Sequence, residues 1–219
     1  MNAPAAPALR LAGDAVSHRY GARVALRPVS FDVAGPGTVA VTGENGSGKS
    51  TLLRILSGML RPTRGTTAIE IGGAPVAPRE RRHHVGLATP ELSFYEEFTA
   101  EENLRFAAEA RGLTNVQETV RDALLKTGLT PRAGDRVAAF SSGMKQRLRL
   151  AFAVLHRPAV LMLDEPGSHL DEEGRAVVER LVLEQSAAGL VVIATNDPQE
   201  IELARNRIPL SGRGLDRPA

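Results

Sequence analysis

The sequence predicts an α/β protein: a core with a mostly parallel sheet, an N-terminal antiparallel β region and an inserted helical subdomain. Three observations predict it. Short β-branched runs alternate with helical stretches: 39–42 before a helix from about residue 48, 159–163 before 172–187, and 190–195 before 199–204. Between Thr99 and Ala151 the apolar spacing becomes helical, with Leu104, Phe106 and Ala107, then Val120, Leu124 and Leu125. Segments 15–20 and 24–33 sit between Gly and Pro turns and suit an antiparallel hairpin region.

The chain has 219 residues, 42% of them hydrophobic, enough for a substantial core in one or two interlocked units. We expect a single domain over 1–219, with an α/β core over about 8–90 and 157–211 and a helical subdomain over about 91–156. A net charge of +2 demands no polyanionic partner, and the basic run from Arg79 to His84 suits a solvated loop, so no nucleic acid is expected. The absence of cysteine excludes disulfides, thiolate metal sites and cysteine nucleophiles, and is compatible with a reducing cytoplasm. The start, MNAPAAPALR, lacks an apolar core of signal-peptide length and suggests a frayed tail. No apolar run approaches the ~20 residues that span a bilayer, so a membrane role would need a partner.

After the first core strand comes Gly43-Glu44-Asn45-Gly46-Ser47-Gly48-Lys49-Ser50, which satisfies G-x-x-x-x-G-K-[ST] and runs into Thr51 and a helix. The pattern in this context predicts the phosphate loop of a P-loop NTPase core, the bland alternative being a Gly-rich strand-to-helix turn with a chance lysine. Its glycines let backbone N–H groups converge on phosphate oxygens, and the helix N-terminus adds positive partial charge at the same place. Lys49 is placed to reach the β- and γ-phosphates, and Ser50 to offer a hydroxyl to Mg²⁺.

Further on, Ala159-Val160-Leu161-Met162-Leu163 ends in Asp164-Glu165, so a central strand delivers two carboxylates to its C-terminal edge. Asp164 suits Mg²⁺ through water, and Glu165, on the opposite side of the strand end, suits polarising an attacking water. An acidic pair can also cap the next helix.

Between these motifs lies Phe140-Ser141-Ser142-Gly143-Met144-Lys145-Gln146-Arg147. It resembles the signature sequence of the ABC ATPases, and the three motifs follow in the order that family uses. The resemblance runs from about Tyr20 to about Asp197. It implies that Ser141, Ser142, Gly143 and Met144 close in trans over ATP held by a second subunit, in a head-to-tail homodimer or heterodimer. As residues, they open a helix, and S-S-G is also a common cap. The resemblance also places Tyr20 where an aromatic ring stacks on adenine, although packing over the Gly21 turn fits equally. It sets Asp171 in a dimer-crossing loop, and Asp171 also suits an N-cap.

Two positions depart from the family. Its histidine after the last core strand, a contact of the γ-phosphate, is Asn196 here, which can donate a hydrogen bond but carries no proton or charge. Its glutamine after the strand around Val85–Ala88 aligns with Pro90 or Glu91. Retention of Glu165 favours hydrolysis, because positioning and electrostatics supply most phosphoryl-transfer catalysis.

The resemblance therefore implies an ATP-hydrolysing subunit, using ATP and Mg²⁺, at the cytoplasmic face of the membrane on an integral membrane transporter subunit. Its motif spelling and length look like small export-type members, the haem-exporter ATPase of cytochrome c maturation among them. The alternatives are an ATP-binding regulatory subunit with little hydrolysis, or a soluble ABC protein of DNA or ribosome processes, whose usual long insertions or second module this sequence lacks.

Overall fold

The computed structural model describes residues 8–211; of the expected frayed tail, residues 1–7 lie outside them, whereas Leu9 and Arg10 are ordered by pairing at the start of the first strand. In chain order the elements are β1 (Leu9–Tyr20), β2 (Arg23–Gly35), β3 (Gly37–Thr42), α1 (Lys49–Leu56), β4 (Arg64–Ile71), β5 (Ala74–Pro75), α2 (Arg81–His84) and β6 (Val85–Ala88). Then follow α3 (Ala100–Ala110), α4 (Val116–Lys126), α5 (Ser142–Val154), β7 (Val160–Asp164), α6 (Glu172–Ser186), β8 (Leu190–Ala194), α7 (Pro198–Glu202) and β9 (Asn206–Pro209). One sheet is antiparallel, in the order β2-β1-β4-β5; the other is parallel, in the order β6-β7-β8-β3-β9.

The central strands explain the two-layered core. Every residue of β7 and β8 is buried, as continuous apolar runs require when both faces of a sheet are covered. Because successive side chains point to opposite faces, each strand feeds two cores. Leu161, Leu163, Val191 and Ile193 join the core made with the helices of the insertion and α6. Val160, Met162, Val192 and Ala194 join the second core, where Leu52, Leu53, Ile55 and Leu56 of α1 meet Leu9, Leu11, Leu26 and Ile69 of the antiparallel sheet. Thus α1 lies between the two sheets.

The insertion starts from a local signal. Thr99 accepts from the Glu102 N–H at 3.1 Å while Glu102 accepts from the Thr99 N–H at 2.8 Å, a reciprocal cap that fixes the first turn of α3. Leu104 of α3, Val120 and Leu124 of α4 and Leu148 of α5 then close one apolar cluster.

The antiparallel region is larger than the expected hairpin. β1 begins at Leu9, and β4 pairs along its other edge from Leu9↔Ile71 to Ser17↔Arg64. The polar opening Arg64-Gly65-Thr66-Thr67 hides β4 in the sequence, since only its pairing with β1 gives those residues a sheet environment. The parallel sheet likewise gains β9 on the edge of β3.

Candidate nucleotide site

Register across the parallel sheet assembles the site. Val41 of β3 pairs with Ala194 of β8, and Ala194 pairs with Asp164 of β7, so the three strands end abreast. The loop after β3 carries Gly43 to Gly48, that after β7 begins with Glu165, and that after β8 carries Thr195 and Asn196. Thr195 N–H donates to Val41 O at 3.1 Å and Glu165 N–H to Ala194 O at 2.8 Å, which ties the three loop bases together. Ligands of parallel α/β sheets bind at this carboxyl edge.

The loop after β3 turns back on itself through Ser47 N–H to Glu44 O at 3.0 Å and enters α1 at Gly48. Gly48 has φ +105°, and a Cβ there would stand 2.5 Å from Ala25 O, so both conformation and space require glycine. An open cleft of about 300 Å³ lies over the loop, bordered by Tyr20, Arg23, Asn45, Lys49, Ser50 and Glu165. Gly46, Gly48 and Thr51 also face it. Gly43 and Ser47 form the floor, where a Cβ on Gly43 would meet Ser47 Oγ at 2.8 Å, and Glu44 is exposed.

Lys49 is 6% exposed and its Nζ donates to Gly43 O at 2.8 Å. Burial pulls its pKa down, and the charges of Glu165 and Asp164 oppose that pull. The ammonium is therefore held in the loop, poised for an anion. Asp164 is buried, with the Ser50 hydroxyl on its carboxylate; desolvation pushes its pKa up, the Ser50 bond opposing and Glu165 adding to the rise. Its Oδ2 is buried without a hydrogen-bond partner.

That orphaned oxygen beside a hydroxyl fits Mg²⁺, which takes a few hard oxygen ligands from protein and the rest from water and substrate phosphates. Among the described residues no group of three or more His, Cys, Asp or Glu could hold a metal by itself.

Asn196 stands at the same edge and its amide donates to Asn45 Oδ1 at 2.9 Å, so it contacts the phosphate loop directly. Glu91 pairs with Arg54 of α1 and contributes to raising the Asp164 pKa, so it lies near the acidic pair while its carboxylate is engaged. Tyr20 is 47% exposed at the cleft, near Arg54, and its ring lies 4.5 Å from that of His18.

The other anticipated residues stand apart from this cleft. Ser141 caps α5 by accepting from Met144 N–H at 3.2 Å, and Ser142 and Gly143 form the first turn. A Cβ on Gly143 would lie 3.1 Å from His169 O, which sets this helix start against the loop after β7. Asp171 caps α6, accepting from Gly174 N–H at 2.8 Å. Both caps satisfy donors that an isolated helix end leaves free.

Three further groups went unforeseen. Arg23 reaches the cleft from the start of β2, and Arg54 pairs with Glu91 near Tyr20. Gln146 donates from Nε2 to Pro166 O at 3.0 Å and to Glu165 O at 3.4 Å. The Lys-Gln-Arg that ends the signature was the one available signal for Gln146; the arginines had none.

Comparison with known proteins places these features in company. The family model for "ABC transporter" matches residues 26–168. The chain is 31% identical over 209 residues to the linearmycin resistance ATP-binding protein of Bacillus subtilis, covering 93% of this chain and 67% of that protein. It spans about two thirds of the length of several curated relatives that it matches. It is similar to a solved ATP-binding subunit of an ABC transporter, with a TM-score of 0.77 and 31% identity over 91% of this chain and 85% of that one. A dimeric bacterial ABC transporter cassette shares the fold, with a TM-score of 0.80 at 20% identity over 92% and 94% of the two chains.

Proposed function

The chain belongs to the ABC transporter family as an ATP-binding domain, and on that premise we propose that it hydrolyses MgATP in a dimer and passes the resulting motion to an integral membrane subunit. The observation that carries the reading is the placement of Lys49, Ser50, Asp164 and Glu165 around one phosphate-sized loop at the carboxyl edge of the sheet.

Backbone N–H groups from Gly46 to Ser50 and the start of α1 bind the phosphates, and Lys49 exchanges the Gly43 carbonyl for phosphate oxygens. Ser50 and Asp164 would hold Mg²⁺, directly or through water. That ion would supply charge neutralisation between the β- and γ-phosphates. Glu165 orients a water for in-line attack and accepts its proton as the γ-phosphoryl group leaves ADP. Asn196 can turn its amide from Asn45 to a γ-phosphate oxygen, donating a hydrogen bond without a charge. Tyr20, at the rim of the cleft, is placed to meet the base.

Ser141 to Met144 lie outside the cleft of their own chain, which supports the composite-site reading, in which a second subunit brings this helix start to the γ-phosphate. The dimeric state of the similar cassette supports it too. For the membrane partner we assign the exposed rings Tyr95, Phe98 and Phe106 on the helical insertion, an apolar cluster with centroids 5.5 and 5.9 Å apart. Among the described residues no helix is long and apolar enough to cross a membrane.

Phosphate release with ATP and Mg²⁺ tests the proposal, with nucleotide binding measured in parallel. Glu165→Gln is expected to keep ATP binding and lose turnover by about a hundredfold or more, and Lys49→Ala to lose affinity as well. Turnover in Glu165→Gln equal to wild type would discard the role of that acid. The Asn196 substitution favours a second reading, an ATP-dependent dimerising subunit without turnover; nucleotide-driven dimers and no phosphate release in the wild type would select it.

A further inference from the structure

Glu200 lies on α7, one turn beyond Asn196, with only 6% of its surface exposed. It does not border the nucleotide cleft. A buried acid is costly unless its oxygens meet donors, and here Oε1 accepts from the Gly167 N–H at 2.7 Å, with Thr195 close by and holding the pKa rise in check. Oε2 is buried and unpartnered, and burial pushes the pKa of the acid up. Arg175 of α6, a cation whose charge reaches Glu200, is engaged by Asp197 at 2.6 Å. Such a group is retained at a cost, and its partner in space indicates its use.

That partner is the turn after β7. Glu165 adopts φ +47°, a left-handed conformation that residues with side chains seldom take, so the surroundings must hold it there. On one side Gln146 of α5 donates to Pro166 O and Glu165 O. Across the turn Glu200 takes the Gly167 N–H, and Ser168 N–H donates to Glu165 O at 3.1 Å. The fit is close: a Cβ on Gly167 would stand 2.5 Å from Glu200 Oε1.

We propose that Glu200 is a positioning residue: through the Gly167 N–H it holds the turn that aims the Glu165 carboxylate into the cleft, and it ties the loop carrying Asn196 to the loop carrying Glu165. This rests on the reading of Glu165 as the group that polarises the attacking water. A misplaced base loses rate more than binding, so the signature lies in how kcat and KM divide.

The test measures phosphate release and nucleotide affinity for the full chain and for Glu200→Ala, Glu200→Gln and Gly167→Ala. Glu200→Ala is expected to lower kcat about tenfold or more with KM for ATP within about twofold of wild type. Glu200→Gln keeps an oxygen for Gly167 and is expected to retain most of the turnover. Gly167→Ala, which displaces the carboxyl group from the other side, is expected to lower kcat while leaving ATP affinity intact, and it stands in if Glu200→Ala does not fold. Turnover undiminished in both Glu200→Ala and Gly167→Ala, or lost as fully in Glu200→Gln as in Glu200→Ala, overturns this inference alone. A wild type that binds ATP but releases no phosphate overturns the hydrolysis reading and this inference with it.

Discussion

Asn196 is one of the two positions read from the sequence as departing from the family pattern, and its surroundings give that reading a physical meaning. Its amide reaches Asn45 of the phosphate loop, so the position still touches the site, but it carries no titratable group. Replacing it with histidine introduces one. Asn196→His is expected to raise turnover and to add a limb to the pH–rate profile near the ordinary histidine range of about 6.5, absent from the wild type. Profiles that superimpose in shape and height would mean that Asn196 plays no part in the chemistry. Glu91 belongs to the second expected departure, at Pro90 or Glu91, and its pairing with Arg54 shows why sequence alone could not assign it: the acid is near Asp164 but committed to a cation on α1.

At the scale of elements, the join between α5 and β6 has its own titration. His156 follows the end of α5, and its Nε2 lies 3.2 Å from Val85 O, which requires the tautomer that donates from Nε2. Burial, helped by the charge of Arg111, pushes its pKa down from 6.5 to about 4, with the Val85 bond opposing. Between those values the unfolded chain takes up a proton that the folded chain refuses, so stability falls as pH falls. The contribution is fully present above about pH 6.5 and its loss amounts to ~3 kcal/mol across the window. Denaturant unfolding of wild type and His156→Gln from pH 7 to pH 4 measures it. The wild type should lose the more stability toward low pH, and parallel curves would show that His156 is not the group responsible.

The whole molecule divides its phosphate-binding equipment between two places. One chain offers Lys49 in a cleft and, elsewhere, the exposed first turn of α5 at Ser142, so the proposed composite site needs a second chain to bring them together. Turnover per chain should therefore rise with protein concentration. A mixture gives the sharper measurement: Lys49→Ala leaves the α5 terminus intact, and Ser142→Glu sets a carboxylate where a phosphate would approach. Each variant alone should be nearly inactive, whereas mixing restores one complete site per heterodimer and turnover above the sum of the two. Mixtures no more active than their components would refute a site completed by another copy of this chain.

What was legible in the sequence was the chemistry that depends on neighbours along the chain. The phosphate-loop motif could be read from residue spacing, because its glycines and Lys49 lie within one short stretch; the acidic strand end and the caps at Ser141 and Asp171 were local in the same way. The parallel core was visible because strands buried on both faces must be apolar throughout, as β7 and β8 are. Only the tertiary structure decided which loops meet. The full antiparallel sheet with β4, the bond from Asn196 to Asn45, the engagement of Glu91 by Arg54 and the hold of Glu200 on Gly167 join residues up to 151 positions apart. Pairing of that kind is set by sheet register and core packing, to which no short stretch of sequence has access.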